Sequence, residues 1–117
     1  MPRIVRPPID LPEHEAALLD ALAMPLARAV IHHLARVGPT SSGTISRLTG
    51  VTPEAIRRQL LALEAVGLVV ATEPAGQRHG MRVNYDIDED TVLDATEAIG
   101  SYLLPPELAR RTRRRHD

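Results

Sequence analysis

The basic side chains of this sequence are grouped, and each group suggests phosphate or base chemistry. Arg57 and Arg58 are adjacent within VTPEAIRRQLLALEAVGLVV, with Glu54 shortly before them and Gln59 directly after. A guanidinium can bond the edge of guanine with two parallel hydrogen bonds or pair with a backbone phosphate, and a glutamate can accept from a cytosine amine. Arg78, His79 and Arg82 form a second group in and after the turn-rich segment PAGQRHG. Ser41 and Ser42 stand at the entrance to a short apolar pattern, where hydroxyls serve as helix caps or phosphate contacts. Enzyme chemistry finds no comparable support. There is no cysteine nucleophile, no Gly-rich phosphate loop, no HExxH and no recognisable Ser-His-Asp set, so no catalytic residue and no cofactor is expected.

A metal site is not expected either. His32 and His33 are neighbours, so they point in different directions from a helix, and no third ligand lies at helical spacing. Asp88, Glu89 and Asp90 could suggest a divalent cation, but they crowd the start of a helical pattern, where the dipole favours acids in a solvated first turn.

The elements that must position these side chains follow from local signals. Thr52 is an N-cap residue, Pro53 suits the first helical position, and Ile56, Leu60 and Leu63 make one apolar stripe. Gly67 sits where a left-handed residue ends a helix, and the β-prone Leu68, Val69 and Val70 follow at once. Upstream, Ile45 and Leu48 give a shorter helix an inward face, and Gly50 breaks it just before the Thr52 cap. Downstream, LVVATE and MRVNYDI flank the turn segment and read as a hairpin. Helix, turn, helix and hairpin in that order predict a winged helix-turn-helix, mainly α with a small β-hairpin. By itself the second helix also fits a solvated amphipathic surface. Its setting beside a basic hairpin tip favours double-stranded DNA as the partner.

Residues Ala21 to Asp88 resemble the ArsR-type winged-helix regulators, and MarR-like regulators share part of the pattern. ALAMPLAR spans Ala21 to Arg28, VTPEAIRRQLLALEAVGLV spans Val51 to Val69, and VNYDID spans Val83 to Asp88. The middle segment carries the specific match. Met24 stands where the family has an acid, the arginine is displaced to Arg28, and the cysteine pair of the short helix is missing. The helix-turn-helix reading gives an expected DNA-binding set of Ser41, Ser42, Thr52, Glu54, Arg57, Arg58, Gln59, Arg78, His79 and Arg82. The resemblance implies a homodimer in which the first and last helices pair across a two-fold axis. Resemblance and apolarity together put Leu18, Leu22, Ile99 and Tyr102 in that interface. The expected function is sequence-specific DNA binding by a homodimeric repressor. The alternative is a winged-helix protein-interaction module, raised by the apolar Leu61 on the outer face of the second helix.

Composition agrees with one small domain. The chain has 117 residues, without Cys, Trp or Phe, so its core must be aliphatic and no disulfide or thiolate site can form. No apolar run approaches membrane-spanning length and no signal-peptide pattern opens the chain, so a cytoplasmic location is expected. Lysine is absent, which points to a GC-rich bacterial or phage genome. The formal net charge of −1 is unevenly distributed. Residues 40–85 hold five arginines and three acids, whereas residues 86–109 hold seven acids and no Lys or Arg. Positive charge therefore gathers on the expected DNA face and on the tail.

The flanks complete the organisation. Residues 1–12 are proline-rich and aperiodic, an extended arm. Residues 13–104 form the expected domain, with 40–67 as helix-turn-helix, 68–87 as wing and 88–104 as the dimerisation helix. Its first helix turns Leu18, Leu19 and Leu22 inward; the helix from Pro25 turns in Leu26, Val30, Leu34 and Val37. The last has Val92, Ala95, Ile99 and Tyr102 on one face. Residues 105–117 are a basic tail whose arginines, Arg110 to Arg115, could contact phosphates or pair with the acidic helix before it.

Overall fold

Tight local capping divides the described residues into five helices and three short strands. The computed structural model describes residues 9–73 and 82–108. The elements are α1 (Glu13–Leu22), α2 (Pro25–Val37), β1 (Thr40–Ser41), α3 (Ser42–Thr49), α4 (Pro53–Ala65), β2 (Val69–Ala71), β3 (Asn84–Ile87) and α5 (Glu89–Leu103). Residues 1–8 of the expected arm and 109–117 of the tail lie outside the described residues, as do Arg78 and His79.

Each boundary has a chemical cause. Pro25 opens α2 after an extended Met24, and α1 meets α2 at 92°. Arg28 secures that corner: its Nη1 donates to the carbonyls of Leu22 at 3.0 Å and Ala23 at 2.8 Å, two acceptors that the end of α1 leaves open. Ser41 caps α3, Thr52 caps α4 and Asp88 caps α5, each accepting from the backbone N–H three residues on. The turn between α3 and α4 is held by Gly50 at φ +72° and by the Ser46 hydroxyl, which donates to the Val51 carbonyl at 2.6 Å. Gly67, at φ +84°, closes α4. The Leu68 N–H reaches back to the Leu63 carbonyl and the Gly67 N–H to that of Glu64, both at 3.0 Å.

The core is aliphatic apart from Tyr85. Leu18, Ala27, Val30 and Leu34 from the first two helices meet Ile45, Ile56, Leu60 and Leu63 from α3 and α4. Leu68, Val69, Tyr85 and Ala95 close it from the sheet and α5. Three expected inward residues face outward instead. Val37 and Leu48 are each 65% exposed, and Leu19 is also exposed. Val37 and Leu48 fall in the last turns of their helices, directly before Gly38 and near Gly50, where the chain is already leaving the core. Periodicity continues to a helix end, but the opposing surface does not.

The sheet contains a strand that the sequence does not announce. Its order is β1-β3-β2, antiparallel throughout, with Thr40 opposite Tyr85 and Val69 opposite Ile87. The expected two-stranded hairpin is therefore part of a three-stranded sheet with β3 at its centre. β1 has two residues, too few for any alternation, and only the return of β3 beside it makes it a strand. This pairing ties the entrance of α3 to the base of the wing.

Candidate nucleic-acid interface

The junction of α3, α4 and β3 encloses a cleft of about 600 Å³. Ser41, Ser42, Gly43 and Thr44 form its rim at the start of α3, Arg47 follows one turn later, and Arg57 and Leu61 face it from α4. Arg82, Val83 and Tyr85 close it from the approach to β3. Among the described residues, three arginines line the cleft and no carboxylate does. A concave cationic surface concentrates anions.

Its geometry is fixed by a short hydrogen-bond relay. The Ser41 hydroxyl accepts from the Thr44 N–H at 3.3 Å and donates to the Thr44 hydroxyl at 3.0 Å. Arg47 Nη2 donates to that same Thr44 oxygen at 3.1 Å, so the α3 cap orients one of the cleft's cations. Behind it, His33 Nε2 lies 3.3 Å from the Thr40 hydroxyl, which donates to the Gly38 carbonyl at 2.9 Å. With its hydroxyl hydrogen committed there, Thr40 accepts from His33, which therefore acts as a donor at Nε2.

The expected site residues are distributed unevenly. Ser41, Ser42, Arg57 and Arg82 converge on the cleft although they are spread over about a third of the chain. Arg58 is exposed on α4 outside the cleft lining, and Gln59 is half-buried. Thr52 is engaged as the α4 cap, with Glu54 exposed in the same first turn. Arg47, Gly43 and Thr44 were not legible as site residues, because α3 carries no charge pattern of its own. Their signal is positional: they become neighbours of Arg57 only through the packing of α3 on α4.

The expected interface residues also separate. Leu18 is 1% exposed and belongs to the core of the protomer, so it has no surface to offer a second copy. Leu22 and Ile99 are half-buried, whereas Tyr102 is 44% exposed beside the exposed Leu103 and Leu104. α1 and α5 pack together and frame a second cleft of about 430 Å³. Its His14, Glu15, Asp94 and Glu97 contrast with the arginines of the first. Among the described residues no group of three or more His, Asp or Glu side chains is placed to hold a metal. No single helix among them is long and apolar enough to cross a membrane.

No protein-family model matches the chain, and no curated protein sequence does. Solved structures do. The chain is similar to an ArsR-like transcriptional regulator from Rhodococcus sp. RHA1, at 24% identity and a TM-score of 0.62, over 85% of this chain and 86% of that one. An ArsR family transcriptional regulator matches 76% of this chain and 84% of its own at 24% identity and a TM-score of 0.59. Apo-NmtR matches at 28% identity and a TM-score of 0.50, covering 91% and 89%. The fold is that of an ArsR-type winged-helix regulator. In that fold α3 and α4 are the helix-turn-helix, and β2 and β3 are the strands of the wing. The arginine cleft lies between them.

Proposed function

We propose that this protein binds double-stranded DNA sequence-specifically as a homodimer and acts as a transcriptional repressor by occupying promoter DNA, with no enzymatic role. The observation that carries this reading is the cleft beside the exposed face of α4, lined among the described residues by Arg47, Arg57 and Arg82 and by no carboxylate. In this arrangement α4 enters the major groove, Arg57 and Arg58 reach base edges, and Arg47, Arg82 and the Ser41–Thr44 rim hold the flanking phosphates. Two copies would read two half-sites about one helical turn apart. The tail arginines and Arg78 add positive charge to the same chain.

A second reading has its own observation. Leu61 is 53% exposed in the cleft and Glu54 is exposed at the start of α4, features that also suit a protein-binding surface. Salt separates the two. Purified protein is mixed with genomic fragments, the retained duplexes are sequenced, and affinity is measured at several ionic strengths. Enrichment of a two-fold motif with steep salt dependence is expected. An absence of enriched duplexes, together with salt-insensitive capture of a protein, overturns DNA binding. On the enriched duplex, Arg57→Ala should lose about 1–3 kcal/mol of discrimination at one position per half-site.

A further inference from the structure

Leu61 is anomalous in a cleft built for anions. It follows Arg57 by one helical turn, and both side chains line the same cationic surface. The core does not require it: Leu60 and Leu63 on either side of it are fully buried, while Leu61 stays 53% exposed. A leucine cannot bond a phosphate, and leaving it in water is unfavourable unless a partner covers it.

Building on the DNA-binding reading above, we propose that Leu61 is a specificity-determining residue that packs against the C5-methyl of a thymine in the major groove. Along the major-groove edge the bases present hydrogen-bond donors and acceptors, and the thymine methyl is the apolar projection. A side chain that reads it must be apolar, exposed and on the same face as the polar reader. Leu61 meets all three conditions. Four residues of helix advance about 6 Å, and stacked bases are about 3.4 Å apart on each strand. With α4 running along the groove, the thymine would lie within about two base pairs of the base that Arg57 contacts. Arg57 and Leu61 together would read a guanine and a nearby thymine, one through charge-assisted hydrogen bonds and the other through apolar contact.

The test uses the full-length protein and the duplex enriched from genomic fragments. Each thymine is replaced singly by deoxyuridine, which removes the methyl and leaves the pairing edge intact. The unmodified protein should lose about three- to fivefold in affinity at one thymine per half-site, the effect of uncovering a methyl-sized group. Leu61→Ala should bind the thymine and uracil duplexes equally while keeping its discrimination at the position read by Arg57. If no single uracil weakens the unmodified protein, or if Leu61→Ala keeps the same thymine preference, the assignment is overturned. The two levels fail separately. A lack of any enriched duplex removes the DNA-binding reading and this one with it, whereas salt-dependent operator binding that ignores every methyl removes only the role of Leu61.

Discussion

Replacing Arg82 by alanine removes one of the three described arginines that line the cleft. Arg82 is exposed and lies just before β3, so its truncation opens no cavity in the core. Surface changes of this kind usually alter stability by no more than about 0.5 kcal/mol. The binding consequence is larger. Each phosphate neutralised on duplex DNA contributes about 0.9 to the slope of log affinity against log salt. A homodimer brings two copies of Arg82, so the slope should fall by about 1.8. Between about 50 and 200 mM salt, that difference amounts to about a twelvefold change in affinity that the unmodified protein suffers and the variant does not. A phosphate contact carries no sequence information, so operator and scrambled duplexes should weaken alike. Fluorescence anisotropy on both duplexes across four or five salt concentrations gives the slopes, with circular dichroism to confirm folding. The increment also reports stoichiometry, because one copy on DNA would change the slope by only about 0.9. An unchanged slope in a folded variant would refute a phosphate role for Arg82 and the cleft as its setting.

Further outcomes follow from the same structure. Ile99→Glu and Tyr102→Glu should yield monomers by sedimentation and weaken binding to a two-half-site operator, and a monomeric unmodified protein at tens of micromolar would sink the dimer. Leu18→Glu is unsuitable for that purpose, because it would bury an unpaired carboxylate inside the protomer and unfold it. Arg28→Ala should cost about 1 kcal/mol by freeing two carbonyls at the end of α1, read as a fall of about 4–8 °C in Tm; an unchanged Tm would dismiss the cap. Titration with zinc, cobalt or nickel should leave DNA affinity unaltered, and a shift of about tenfold at sub-micromolar metal would disprove that expectation.

The sequence by itself determined the elements whose causes are local. Thr52, Pro53 and Gly67 delimit α4 within a single stretch, and its stripe of Ile56, Leu60 and Leu63 is buried as the spacing requires. The order of helix, turn, helix and paired strands was legible for the same reason: caps, turn residues and periodicity act over a few neighbours. Tertiary structure decided whatever depends on contacts between distant segments. Two residues, Thr40 and Ser41, become a strand only because β3 returns beside them. Leu18 and Leu22 share one stripe on α1, yet Leu18 is consumed by the core while Leu22 stays half-buried at its margin. Arg47 looks like an ordinary surface arginine until α3 packs on α4 and places it on the lining of the same cleft as Arg57. A periodic pattern specifies which face of an element is apolar, but the extent and charge of the surface it meets are properties of the assembled fold.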